Sequence, residues 1–154
     1  MIKINVILSN IAWKKYLKNP HTFINRKVRL LNKKNKLFKN NTLICCLLLS
    51  DSNEIKNLNK KFRKKNKPTD VLSFPFYRRK QLKNKIKKEK EVYLGDIIIN
   101  LSKVKNRKNK KKFQQELNKL WIHGLVHLFG HRHENDQEFN IMYNVEKKYL
   151  KYVN

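Results

Sequence analysis

Four of the chain's five histidines fall within eleven residues, His123-Gly124-Leu125-Val126-His127-Leu128-Phe129-Gly130-His131-Arg132-His133. On a helix, His123 and His127 stand one above the other on a single face, close enough to share one ion. Gly130 offers a helix stop that can swing a third imidazole back toward the pair. Three neutral imidazoles suit zinc, and a site with three protein ligands leaves the fourth tetrahedral position to water, which is the arrangement of catalytic rather than structural zinc. Two ordinary, partly buried histidines are the competing reading of His123 and His127 taken alone. The third histidine and the turn glycine weigh against it. The helical zinc-protease motif His-Glu-x-x-His places a general base directly after its first histidine, and here that place is Gly124, which disfavours protease chemistry.

The third imidazole has two sources. A helix continued past Gly130 would line up His123, His127 and His131 as a stripe, with its outer members about 12 Å apart along the axis, too far to reach one ion without a strong inward lean. A turn at Gly130 removes that strain and brings His133 beside the first two from another direction.

The elements that must position these residues can be read from periodicity. Ile2 to Leu8 alternates as a strand; a helix is expected from Pro20 to about Lys36; Thr42 to Leu49 suits a buried strand. Cap residues at Ser50 to Asn53, followed by Glu54, start a helix to about Lys64 with Ile55, Leu58 and Phe62 on its core face. Val71 to Phe76 and Tyr93 to Ile99 read as two further strands, and the strongly basic stretch Tyr77 to Val92 between them as an exposed, mobile loop. Ser102 is expected to cap a short helix, Phe113 to Phe129 forms a longer one, and Asp136 to Tyr152 a last one with Phe139, Met142, Val145 and Tyr149 facing the core. The sum is a single α+β domain, residues 1–154, with a four-stranded mixed sheet packed with about five helices.

Composition narrows the partners. The 154 residues carry 38 Lys+Arg against 11 Asp+Glu, a net charge of +27. Residues 113–154 hold five basic and five acidic side chains, so the stretch 1–112 supplies the whole excess. A polyanion is the expected partner, because neutralising phosphates releases counterions. The competing explanation is compositional drift, since Asn and Ile are enriched alongside Lys. Cys45 and Cys46 are strand neighbours pointing to opposite faces, and read as small core residues rather than redox or metal groups. No apolar run approaches the roughly 18 residues of a membrane span, and the first residues do not resemble a signal peptide, so a soluble, cytoplasmic protein is expected.

Three stretches together resemble one family. Leu58-Asn59 through Arg63 to Lys67-Pro68-Thr69-Asp70-Val71-Leu72-Ser73-Phe74-Pro75, then Leu94-Gly95-Asp96-Ile97, then the histidine cluster are similar, in order and spacing, to the signature segments of the YbeY family of bacterial endoribonucleases. The resemblance covers essentially the whole chain. It implies a zinc-dependent, single-strand-specific endoribonuclease acting in ribosomal RNA maturation, notably at the small-subunit RNA 3′ end, and in ribosome quality control, with ribosomal RNA and the small subunit as partners. It also implies one zinc per chain on His123, His127 and His133, and makes Arg63 the active-site arginine. Zinc would lower the pKa of a bound water to about 7 while Arg63 sets a forked guanidinium against phosphate, and either water or the RNA 2′-hydroxyl would serve as nucleophile. Without the resemblance, Arg63 reads as one more surface cation. Asp70, Ser73 and Asp96 have capping and turn duties as their ordinary reading, and Thr69, Asp70 and Ser73 are the expected floor of a substrate cleft.

The chain departs from the family pattern at His131-Arg132, where Tyr-Asp is usual. That exchange removes a carboxylate able to orient a ligand imidazole and puts a cation nearby. Two rival functions belong to other classes: a non-catalytic ribosome-associated RNA-binding factor with a zinc site, and a zinc hydrolase of peptides or small molecules, which would not call for so cationic a surface.

Overall fold

The computed structural model describes residues 1–35 and 40–154. Four strands, β1 (Ile2–Leu8), β2 (Thr42–Ser50), β3 (Val71–Pro75) and β4 (Glu91–Asn100), form one sheet in the order β1-β2-β4-β3. β1 pairs parallel with β2 and β2 with β4, while β3 runs antiparallel to β4 as an edge strand, so the sheet is mixed. Among the described residues five α-helices accompany it: α1 (Pro20–Lys34), α2 (Ser52–Arg63), α3 (Arg79–Lys88), α4 (Lys110–Leu128) and α5 (Asp136–Val153). The expected end of α1 at about Lys36 lies outside the described residues.

Alternation along the strands divides the apolar residues between two faces. Leu43, Cys45, Leu47 and Leu49 of β2 join Ile97 and Ile99 of β4 in the main core, together with Ile24 and Leu31 of α1 and Phe113, Trp121 and Leu125 of α4. Leu72 and Ile98, on the opposite face, pack with Ile55 of α2 in a smaller cluster. Cys45 is buried and its thiol is pushed up to about 12, first by burial, whereas Cys46 looks toward the other face; both are free thiols. Among the described residues no helix is long and apolar enough to cross a membrane.

Four local expectations are corrected. The basic stretch 77–92 is not a loop: it contains α3, because Leu82 and Ile86 sit four apart on one face and reach the core while lysines, good helix formers, occupy the rest. Phe62 does not face the core. It lies at the end of α2, exposed, with its edge against Phe74 of the edge strand at a centroid distance of 5.2 Å. Ser102 caps nothing, since Asn100 takes the cap of the 3-10 turn Leu101–Lys103 by accepting from the Ser102 backbone N–H at 3.0 Å. Phe139 is exposed as well, because the buried stripe of α5 begins at Met142, and Phe139 stacks instead on Tyr143 at 6.1 Å.

Candidate metal centre

Helix α4 is the rigid support of the histidines. Asn109 caps its start by accepting from the Lys112 N–H at 2.9 Å, and its apolar face is buried through Phe113, Leu117, Trp121, Leu125 and Leu128. Gly124 explains how closely it approaches the sheet: a Cβ there would sit 2.6 Å from Cγ2 of Ile97 on β4. A side chain at the position that holds the protease glutamate therefore meets Ile97, and either that side chain or the helix would have to shift.

The helix ends where the glycine is. The Gly130 N–H donates to the His127 carbonyl at 2.8 Å and the His131 N–H to the Val126 carbonyl at 3.3 Å, the paired bonds of a Schellman stop, with Gly130 at φ +81°. The chain then doubles back and brings His133 against the pair. Ring centroids lie 4.5 Å apart for His123 and His127, 5.0 Å for His127 and His133, and 5.8 Å for His123 and His133. One nitrogen from each of the three falls within 4.8 Å of the others.

Hydrogen bonds fix which nitrogen each of the first two rings presents. Nδ1 of His127 donates to the His131 carbonyl at 2.9 Å, so its Nε2 carries the lone pair. Nδ1 of His123 lies 2.7 Å from Oε1 of Glu146 on α5, and its Nε2 lies 3.1 Å from Nε2 of His127. Bonds of about 2.0–2.1 Å to a tetrahedral zinc put ligand nitrogens about 3.3–3.4 Å apart, so the pair needs only a small opening to share the ion. Burial first, and then the neighbouring His123, hold His127 down to about 4, which keeps it neutral and able to ligate at neutral pH. The donor set, its spacing and its tautomers fit a divalent ion that takes imidazole.

His131 stands apart from this group. Its backbone carbonyl orients His127, while its ring lines a neighbouring cavity beside Arg79, and its pKa is lowered, first by burial and then by that arginine. Glu146 is the residue that sequence reasoning missed. It supplies a carboxylate to Nδ1 of His123, which position 132, here an arginine, does not. Its separation of 23 residues from His123 hides it from short-range patterns; the one signal for it was an acid in the i, i+4 register of Met142 on an apolar stripe. Arg132 is exposed and paired with Glu134 at 3.2 Å.

The remaining predicted residues line the same cavity of about 610 Å³ as the three histidines: Arg63, Thr69, Asp70 and Ser73. Arg63, at the last position of α2, reaches the edge strand and donates from Nη2 to the Ser73 carbonyl at 3.2 Å, using one of its five donors. Asp70 also does turn work, accepting from the Thr69 hydroxyl at 3.0 Å and the Val71 N–H at 2.8 Å. Asp96 has no turn duty, since it lies within β4 and accepts from the Tyr93 hydroxyl at 2.5 Å.

Comparison with known proteins points to one family. The sequence profile of the family described as Endoribonuclease YbeY matches residues 8–154. A Pelagibacter ubique protein named Endoribonuclease YbeY is 40% identical over 155 residues, spanning 99% of this chain and 97% of its own. A Buchnera aphidicola protein of the same name is 37% identical over 118 residues, 75% of this chain and 72% of its own. Among solved structures, a Thermotoga maritima protein determined in solution superposes with a TM-score of 0.58 at 28% identity, covering 99% of this chain and 89% of that one.

Proposed function

Because the chain belongs to the YbeY family of endoribonucleases, we propose that it cleaves single-stranded RNA with one zinc ion held by His123, His127 and His133. Its place is late ribosomal RNA maturation at the small-subunit RNA 3′ end and ribosome quality control, in the cytoplasm, with the small subunit as partner. Residues 1–154 act as one catalytic domain. The observation that carries this reading is the convergence of three imidazoles, the Nδ1 partners of His123 and His127, and Arg63 around a single cavity.

Zinc, when bound, supplies Lewis acidity at neutral pH. The protein's own groups do the positioning. Glu146 and the His131 carbonyl hold His123 and His127 with their Nε2 atoms turned together, so the ligand geometry is set before an ion arrives. Arg63, tethered to the Ser73 carbonyl, keeps the rest of its planar fork for a phosphate in the same cavity. Thr69, Asp70 and Ser73 form the cleft floor on which the RNA backbone rests. The charge of +27 draws the polyanion in.

The test is cleavage of a small-subunit precursor RNA, with ends mapped by primer extension, in the presence and absence of a chelator. Chelator-sensitive cuts in single-stranded segments near the 3′ end support the reading. Bound zinc without metal-dependent cleavage would make the protein a non-catalytic RNA-binding factor.

A further inference from the structure

A second cavity, of about 740 Å³, adjoins the histidine cavity and shares Arg63, Ser73 and His127 with it. Its wall includes Phe76, Tyr77, Arg78, Arg79, His131 and Arg132. Phe76 is the unusual member, an aromatic ring left 64% exposed. Its backbone is nevertheless pinned: the Phe76 N–H donates to the Leu94 carbonyl at 2.8 Å. The next residue of β4, Gly95 at φ +129°, comes so near that a Cβ there would stand 2.1 Å from the Phe74 oxygen and 3.0 Å from the Phe76 nitrogen. Two further rings brace it at steep angles, Tyr77 at 5.0 Å and 78° and Tyr93 at 5.7 Å and 73°. Folding gains little from so exposed a ring, while a flat partner gains a rigid face.

Arginines line the same cavity as that face. The close approach of α3 to the end of α4, where a Cβ on Gly130 would lie 2.7 Å from Cβ of Arg79, seats Arg79 against the turn that bears the histidines. Arg78 and Arg132 line the same wall. The cavity's single acid, Glu138, is engaged by the Glu134 backbone N–H at 3.2 Å. An open aromatic ring among arginines, adjoining a hydrolytic centre, matches the alternation of base and phosphate along a single strand.

We propose that this cavity is the subsite for a nucleotide next to the scissile phosphate, with its base stacked on Phe76 and its phosphate held by Arg78 and Arg79. The assignment rests on the RNA-cleaving reading above. It makes the subsite tolerant of base identity, because every base has a stackable face.

A double-mutant cycle between protein and substrate tests it. One short single-stranded RNA is made intact and with an abasic residue at each position flanking the cut, and kcat/KM is measured for the wild type, Phe76→Ala, Phe76→Leu and Phe76→Tyr. The wild type is expected to lose about tenfold to a hundredfold at one abasic position. Phe76→Ala and Phe76→Leu should lose a similar factor on the intact RNA and be indifferent to that abasic position, and Phe76→Tyr should behave as the wild type. Unchanged zinc content and melting temperature in Phe76→Leu confirm that the fold survives. A wild type that cleaves but shows no abasic-sensitive position, or variants whose losses are equal on intact and abasic RNA, would overturn the subsite alone. A wild type that cleaves no single-stranded RNA would overturn the proposed function and the subsite with it.

Discussion

Replacing Glu146 should weaken zinc binding without unfolding the protein. The carboxylate meets Nδ1 of His123 at 2.7 Å, within the range of charge-assisted bonds, and the two side chains are 22% and 32% exposed. It holds the proton on Nδ1 and leaves Nε2 free to ligate. Removing such an outer partner typically costs about 10–100-fold in metal affinity, or about 1.4–2.7 kcal/mol. Glu146→Gln keeps an acceptor oxygen in place and loses only the charge, so about tenfold is expected. Glu146→Ala loses the acceptor too, and water entering the partly exposed site offsets part of the loss, so the expectation is several tens-fold. The α4–α5 packing through Met142, Tyr149 and Val153 is untouched, and the metal-free melting temperature should hardly move. Zinc competition against a chromophoric chelator reads the affinities, with Glu134→Gln, an exposed acid ion-paired with Arg132, as control. Affinity for zinc within twofold of wild type in Glu146→Ala would mean that the carboxylate does not support His123 as a ligand.

His133→Ala should lose most of its zinc and His131→Ala should keep it, because His131 contributes a carbonyl rather than its ring; measured metal content in the two variants decides this. Arg63→Lys keeps the charge but loses the planar fork, so single-turnover cleavage should fall by at least tenfold while RNA affinity barely changes among 38 basic residues. In the zinc-free protein, His127 titrates near 4 against an ordinary 6.5, so the unfolded chain takes up the proton first as pH falls. This contribution to stability is intact above about pH 6.5 and declines toward pH 4, and urea unfolding across that window should show a shallower pH slope for His127→Gln than for the wild type.

Residues of the site that lie close together along the chain are legible from their spacing alone. His123 and His127 share a helix face because they are four apart, and the Gly130 stop follows from the residue that tolerates positive φ. The strands are readable because their apolar runs are short and bounded by turn residues. Helix α3 is obscured because lysines mask a two-residue apolar stripe, Leu82 and Ile86, whose meaning depends on a core surface supplied by distant elements. Phe62 and Phe139 show the converse, since apolar periodicity locates a face but not where the opposing surface stops. Glu146, and the tether of Arg63 to Ser73, are tertiary contacts between separate elements that spacing along one helix cannot reveal.

On this reading, one ion on the three imidazoles makes the protein a nuclease. Metal-free protein titrated with zinc, with cleavage of a single-stranded RNA followed at each addition, tests it directly. Activity is predicted to rise linearly and break at one zinc per chain, with no rise in His127→Ala. Full cleavage by the metal-free protein, or a zinc response unchanged in His127→Ala, would mean that the three imidazoles do not hold the catalytic ion.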